Sequence, residues 1–355
     1  MAELLADHTT LRLGGPAARW VEATTTDQVI EAVSEADARG EPVLVLGGGS
    51  NLVVGDDGFD GTVVAVRTRG IGSDPASCAW TGAEVNVAAG EVWDDLVVFT
   101  LERELAGIEA LSGIPGLVGA TPIQNVGAYG AEVAQVIARV RTWDRRENRI
   151  TTFAMADCGF GYRSSRFKDD PDHWVVLDVT FQFSGATLSA PIRYPELART
   201  LGVEVGERVE ARAVRDAVLA LRRGKGMVLD PADHDTWSAG SFFTNPVLSA
   251  ADADRLLPPE APRYPDGNLV KTSAAWLIQH AGFDKGHRPA ADPTAPVSLS
   301  TKHTLALTNR GGARTADLLG LAREIRAGVA DRFGIGLVNE PVMVNCTLAN
   351  EETIR

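Results

Sequence analysis

Cysteine is scarce in this chain: Cys78, Cys158 and Cys346 are the only three in 355 residues. An odd, widely separated set without a CxxC pair indicates neither a disulfide framework nor a zinc site. Histidine is almost as thin, at six residues, and no HExxH occurs, so no metal is expected. No apolar run reaches the length of a membrane span, and the opening MAELLADHTTLRLGG has no charged segment leading into an apolar one. The expectation is therefore a cytoplasmic protein without a membrane partner. Positive charge is also in deficit: 34 Lys and Arg against 47 Asp and Glu leave a net charge of −13. Such a surface repels polyanions and offers no footprint for nucleic acid, so an anionic substrate must be gripped locally.

What is present is the balance of an ordinary folded protein, 45% hydrophobic and 23% charged. The length exceeds the roughly 250 to 300 residues at which a single core stops growing, which implies two or three domains and room for a large ligand. Thr26 and Asp27 can cap a helix that carries Val29, Ile30 and Val33 on one face and ends at Gly40. A buried strand from Val43 to Leu46 follows, and Thr62 to Val66 reads as another. Trp93, Leu96, Val97 and Leu101 mark a helix. Val136 to Trp143, Ile150 to Phe153 and Trp174 to Phe183 read as strands of an α+β region. Val209 to Leu221 is helical in pattern and runs into Arg222-Arg223-Gly224-Lys225-Gly226, a boundary after which a further unit begins near Met227. That unit carries helices at Ser273 to Ala281 and Thr315 to Phe333, and strands at Thr304 to Leu307 and Gly336 to Val344.

Two glycine-rich segments stand out. The first, Gly47-Gly48-Gly49-Ser50-Asn51, follows directly on a strand, where bare backbone can approach a ligand and aim N–H groups at a diphosphate. It matches neither GxGxxG nor GxxxxGK[ST], and read alone it fits a tight turn as well as a cofactor cradle. The second runs from Gly113 to Gly130, too long and too poor in helix formers for an ordinary connection. Its glycines, with Thr121, Gln124, Asn125 and Tyr129, can wrap a flat polar ligand. Diphosphate contacts from one loop and ring contacts from the other would hold a flavin dinucleotide without a Rossmann fold.

LGGGSNL (Leu46 to Leu52) and GIPGLVGATPIQNVGAYG (Gly113 to Gly130) resemble the FAD-binding loops of the UDP-N-acetylenolpyruvoylglucosamine reductase family. The likeness continues through Thr10-Leu11-Arg12-Leu13-Gly14-Gly15, Gly161-Tyr162-Arg163 on to Lys168, Gly240-Ser241-Phe242-Phe243-Thr244-Asn245-Pro246, and Asn339-Glu340-Pro341. Six separated motifs in the family's order span nearly the whole chain.

The resemblance implies an α+β architecture: a two-part FAD-binding fold of the vanillyl-alcohol-oxidase (PCMH) type followed by an α+β substrate domain. The expected divisions are residues 1–66 and 67–226 for the two cofactor subdomains and 227–335 for the substrate domain, with strand 336–355 returning to the first. Noncovalent FAD is the implied cofactor, with Gly47, Gly48, Gly49, Ser50, Asn51, Leu52, Gly113, Gly116, Gly119, Thr121, Gln124, Asn125, Gly127, Ala128, Tyr129 and Gly130 around it. NADPH is the implied reducing cosubstrate and the enolpyruvyl ether of a UDP-amino sugar the implied substrate. The chain is expected to be a monomer.

Reducing an enolpyruvyl double bond needs a hydride for C3, a cation or acid near the carboxylate, and a proton for C2. By resemblance these last roles fall to Arg163, Glu340 and Ser241. A guanidinium can grip a carboxylate bidentately while enolate charge develops beside it. A serine on a turn against Phe242 and Phe243 can be a shielded proton donor if its oxyanion is supported. Glu340, set among apolar residues, is costly to bury unless paired or protonated. Taken one at a time, Arg163 also reads as a surface arginine, Ser241 as a turn residue and Glu340 as a solvent-facing carboxylate. The resemblance further points to Tyr162, Lys225 and Asn245 as substrate contacts, to His303 where some relatives carry glutamine, and to Tyr194 on a loop that covers the substrate. Two other functions share these features: another FAD-dependent alcohol or sugar oxidoreductase of the same fold, and a noncatalytic nucleotide-sugar-binding module. Relatives of the first kind often bind flavin covalently through His or Cys, and neither glycine loop contains either residue.

Overall fold

The computed structural model describes residues 2–73 and 82–349; Cys78 lies outside them. Among the described residues, the chain divides into two compact units. The larger holds residues 18–48, 60–73 and 82–223, the smaller residues 2–17, 49–59 and 224–349. The division passes between Gly48 and Gly49 inside the first glycine turn.

The larger unit is built on two sheets. Strand Val43–Leu46 lies parallel to Phe59–Val66, with Val43 opposite Thr62. Helix Thr26–Ala38 precedes it and buries Val29, Ala32, Val33 and Ala36, a stripe at three- and four-residue spacing. Its cap is Thr25 rather than Thr26: Thr25 has extended backbone and accepts the Gln28 N–H at 3.2 Å. The second sheet runs in the order Arg149–Ala154, Ile137–Asp144, Trp174–Gly185, Ala83–Ala88 and Ile71–Ser73. Its inner face presents Val140, Val179, Phe181, Val85 and Val87, which share one core with Trp93, Leu96 and Val97 of helix Trp93–Glu102. Fully burying side chains of this size contributes about 1.5–3 kcal/mol each. The Trp93 ring keeps its own polar atom satisfied by donating from Nε1 to the Leu111 carbonyl at 2.9 Å.

In the smaller unit, helix Thr315–Phe333 presents Leu318, Leu321, Ala322, Ile325 and Val329 to a core shared with helix Ala274–His280 and with Phe242 and Phe243. Strand Val342–Val344 pairs in parallel with Leu52–Val54, so the C-terminal segment returns beside the chain that leaves the glycine turn. The strand expected over Gly336 to Val344 is much shorter than its pattern suggests. Pro341 has no N–H for a ladder, and only a lone bridge from Asn339 to Phe243 precedes Val342. The strand expected at Thr304 to Leu307 lies instead at Leu307–Asn309. Ahead of it the chain closes a turn, with Ala306 donating to the His303 carbonyl at 3.1 Å and Ser300 to that of Ala306 at 2.8 Å. Among the described residues no helix is long and apolar enough to cross a membrane.

Candidate active site

The first glycine turn needs bare backbone on both sides. A Cβ at Gly48 would lie 2.8 Å from the Gly116 Cα, so within the larger unit the two glycine loops meet backbone to backbone. At Gly49, φ is +61° and a Cβ would lie 1.9 Å from the His8 carbonyl oxygen, a position closed to any side chain. Among the described residues no protein acceptor takes the N–H of Gly48 or Gly49. Tightly apposed glycine backbone with N–H groups left to donate is what a dinucleotide diphosphate requires, and the fit to FAD is good. Ser50 and Asn51 are half-buried beyond it, and the Asn51 carbonyl accepts the Val342 N–H at 2.9 Å.

The second loop is pinned at its start by a long-range ion pair. Asp94 accepts the Gly113 N–H at 2.6 Å and both terminal nitrogens of Arg215 at 2.7 Å. Burial pushes the Asp94 carboxyl up, but Arg215 and the Gly113 N–H outweigh it and leave the group below its ordinary value. Farther along, the Thr121 hydroxyl donates to the Val118 carbonyl at 2.8 Å. Buried Asn125 has φ +42° and donates to Glu132 and to the Gly161 carbonyl, both at 3.0 Å, while accepting the Ala134 N–H at 3.2 Å. These two side chains hold the loop in shape from within. Gly127–Ala128 and Ala131–Glu132 then form a hairpin whose two-residue turn, Tyr129-Gly130, has φ +51° and +79°. Positive φ at both central residues marks the turn type that matches hairpin twist, and Tyr129 is an uncommon occupant.

Arg163 sits on a comparable turn. Gly161 and Ser164 exchange backbone hydrogen bonds of 3.0 and 3.2 Å, and Arg163 takes φ +53°. Left-handed backbone at a bulky residue persists only where the surroundings enforce it, and such outliers gather at functional sites. Here the enforcement is visible: Lys168 Nζ donates to the Arg163 carbonyl at 2.9 Å and to Gln124 Oε1 at 3.2 Å, and Ser165 donates to the Ile123 carbonyl at 2.6 Å. The Arg163 guanidinium donates to the Gly127 carbonyl at 2.9 Å, across a glycine whose Cβ would come within 3.2 Å of Nη1. Arg163 is thereby fixed against the second glycine loop, with the exposed Tyr162 ring 5.6 Å from its guanidinium carbon. Tyr194, also exposed, sets its ring edge-on against Tyr129 with centroids 5.5 Å apart.

In the smaller unit, Ser241 and Glu340 lie on neighbouring antiparallel segments. Glu340 donates its N–H to the Phe242 carbonyl at 2.8 Å, Asn339 bridges to Phe243, and Thr244 donates to the Val338 carbonyl at 3.0 Å. Phe242 and Phe243 are fully buried behind Ser241, and among the described residues no protein group hydrogen-bonds the Ser241 hydroxyl. Glu340 is half-buried and not part of an apolar strand, since Val338 and Val342 on either side of it are 65% and 45% exposed. Asn245 directs its Oδ1 to the Ala274 N–H at 3.0 Å, at the start of a helix whose cap is Ser273. His303 donates its own N–H to Ser300 Oγ at 3.2 Å, and Lys225 is half-buried just beyond helix Ala211–Gly224.

A buried carboxylate organises the loop that carries His303. Asp235 accepts the N–H and hydroxyl of Thr301 at 2.8 and 2.6 Å and Nη1 of Arg310 at 2.8 Å. Burial raises the Asp235 carboxyl, but Thr301, Ser300 and Arg310 together bring it below its ordinary value. Neither Asp235 nor the Asp94–Arg215 pair carries a local motif. Their partners lie 66, 75 and 121 positions away, and nothing short of the fold brings them together.

A family model described as FAD binding domain matches residues 17–152, and one described as UDP-N-acetylenolpyruvoylglucosamine reductase, C-terminal domain, matches residues 230–344. The UDP-N-acetylenolpyruvoylglucosamine reductase of Cutibacterium acnes is 61% identical to this chain, over 97% of it and 90% of its own length. That of Thermobifida fusca is 57% identical over 97% of each. Among solved structures, the UDP-N-acetylenolpyruvylglucosamine reductase of Thermus caldophilus superposes with a TM-score of 0.64 at 25% identity, over 97% of this chain and 98% of that one. With 61% identity over 97% of its residues to a reductase of that name, the chain belongs to the UDP-N-acetylenolpyruvoylglucosamine reductase family.

Proposed function

We propose that the protein uses NADPH to reduce the enolpyruvyl ether of UDP-N-acetylglucosamine to UDP-N-acetylmuramate, a step in the synthesis of peptidoglycan precursors. The observation that carries this reading is 61% identity over 97% of the chain to a reductase of that name. FAD, when bound, supplies the hydride for the substrate's C3. The first glycine turn, Gly47 to Asn51, offers its amides to the dinucleotide diphosphate, and the loop from Gly113 to Gly130 faces the rest of the cofactor. Arg163, held by Gly127 and Lys168, grips the substrate carboxylate and opposes the enolate charge. Ser241 hands its proton to C2, and Glu340, on the neighbouring segment, steadies the same developing charge when its carboxyl carries or shares a proton that it can donate as a hydrogen bond. Tyr162, Tyr194, Lys225, Asn245 and His303 are assigned to the UDP-sugar. Monomeric, cytoplasmic action fits a substrate that is a small nucleotide sugar.

The test is anaerobic. Purified protein carrying yellow flavin is reduced with NADPH and then mixed with the enolpyruvyl UDP-sugar. Reoxidation by that sugar is the expected result, and reoxidation by simple alcohols or sugars in its place would assign the chain to another oxidoreductase.

A further inference from the structure

The segment Thr10-Leu11-Arg12-Leu13-Gly14-Gly15 is prominent in the sequence, yet it supplies none of the groups assigned above. In the structure Thr10 is bonded in two directions. Its N–H donates to the Gly49 carbonyl at 3.2 Å, and its hydroxyl donates to the Ser238 carbonyl at 2.6 Å. Gly49 belongs to the first glycine turn, and Ser238 opens the turn Ser238-Ala239-Gly240-Ser241. The Ser238 hydroxyl in turn accepts the Gly240 N–H at 3.2 Å, so the chain of bonds from Gly49 stops one residue short of Ser241.

The surroundings make this a rigid link. The Cβ excluded at Gly49 is excluded by the His8 carbonyl and the Thr9 Cα, so the glycine turn lies directly on the Thr10 segment. Arg12 holds φ +52° with its guanidinium 4.6 Å above the Trp237 ring. Asn309 closes the other side, donating from Nδ2 to the carbonyls of Leu11 and Arg12 at 3.0 and 3.3 Å and from its N–H to the Trp237 carbonyl at 3.0 Å. Residues 8–12 form a strap between the two turns, and left-handed backbone at an arginine is retained only where such a framework enforces it.

We infer that Thr10 is a positioning residue: through its hydroxyl it couples the glycine turn proposed for the FAD diphosphate to the turn that presents Ser241. This rests on the reading of Ser241 as proton donor. Thr10→Val keeps the backbone N–H and the side-chain shape and deletes only the bond to Ser238; Thr10→Ser restores a hydroxyl.

The experiment has two arms. In stopped-flow traces of the FAD-loaded protein, Thr10→Val is expected to slow reoxidation by the enolpyruvyl sugar about fivefold, the effect of one hydrogen bond, and to leave flavin reduction by NADPH within twofold. Thr10→Ser should recover the rate, and Thr10→Val should add little in a Ser241→Ala background, where the group it positions is gone. In the second arm, hydrogen exchange of residues 238–242 is followed in the apoprotein as FAD is added. FAD should protect that segment in the wild-type protein and not in Thr10→Val. Equal slowing of both half-reactions, or unaltered FAD-induced protection in Thr10→Val, would overturn the coupling. If exchange behaves as expected while Ser241→Ala slows both half-reactions alike, the coupling stands and the donor assignment fails.

Discussion

The N–H of Glu340 donates to the carbonyl of Phe242 at 2.8 Å, so the residue next to Ser241 is locked to the backbone of the carboxylate proposed as its partner. A hydroxyl and a carboxylate carried on adjacent, backbone-paired segments keep their separation when other parts of the protein move. Proton delivery and charge stabilisation at neighbouring carbons need such a constant geometry.

The proposed roles divide by half-reaction. Reduction of flavin by NADPH moves no proton to the sugar, so Ser241→Ala should leave that step nearly unchanged. Reoxidation by the enolpyruvyl sugar should fall about 10²- to 10⁴-fold, the usual effect of losing a positioned acid. Ser241→Cys should recover part of it. Stopped-flow absorbance of the two steps measures this directly, and equal slowing would reduce Ser241 to a turn residue.

Gly48→Val should empty the cofactor site without unfolding the protein. The new side chain starts 2.8 Å from the Gly116 Cα and forces the two glycine loops apart, an overpacking cost of about 1–3 kcal/mol, or about one to two powers of ten in FAD affinity. The flavin-to-protein absorbance ratio after purification reports occupancy. Full yellow occupancy in a folded variant would remove the turn from the cofactor site.

The parts of this fold that can be read from the sequence are those encoded by local chemistry. Helix Thr315–Phe333 and strand Val43–Leu46 stand where their patterns put them, the helix because its stripe meets a core and the strand because it pairs with Phe59–Val66, although only Leu46 of the strand expected to be buried is fully so. The two glycine loops announce themselves because only glycine survives such backbone contact. What local pattern cannot encode is which side chains face a ligand and which hold the loop. Asn125 and Thr121, polar residues in a ligand-type loop, direct their side chains back into it. The apolar run around Glu340 imitates a strand until Pro341 interrupts the ladder, and Thr10, Asp94 and Asp235 act through partners far away in sequence.

Asp235 makes a pH-dependent contribution whose sign follows from its depressed carboxyl. A carboxylate more acidic in the folded than in the unfolded state stabilises the fold above the ordinary aspartate value, near about 3.9, and loses that contribution as pH falls through its lower folded value. Asp235→Asn, which leaves Arg310 without its counter-ion, should lower stability at pH 7 by about 1–3 kcal/mol. The gap between wild-type and variant melting midpoints should then shrink as pH drops below about 4. A gap independent of pH would mean that packing, not the charge, is what the substitution removes.

Tyr194 should act on the sugar alone. Its segment is anchored up to Ile192: Ala190 donates to Glu109 Oε1 at 2.5 Å, and Ile192 donates to the Glu207 carbonyl at 2.9 Å. Arg193 and Tyr194 beyond that anchor are exposed, and the tyrosine ring leans edge-on against Tyr129 with 40% of the residue accessible. On the far side the Tyr194 carbonyl accepts the Ala198 N–H at 3.0 Å at the start of helix Pro195–Leu201, so the backbone is held at both ends and it is the exposed ring that can turn over a ligand, exchanging the Tyr129 contact for one with substrate. Tyr194→Ala removes both the ring and the hydroxyl, a combined loss on the order of tenfold in apparent affinity for the enolpyruvyl sugar. Tyr194→Phe separates them: retention of affinity assigns the effect to the ring, loss assigns it to the hydroxyl. In either variant flavin reduction by NADPH should stay within about twofold of wild type, because loss of uniform substrate binding appears in KM for that substrate and not in the other half-reaction. Titration of the sugar against reduced enzyme, alongside NADPH single-turnover rates, makes the comparison. Parallel losses in both would show that Tyr194 supports the Tyr129 hairpin rather than covering the substrate.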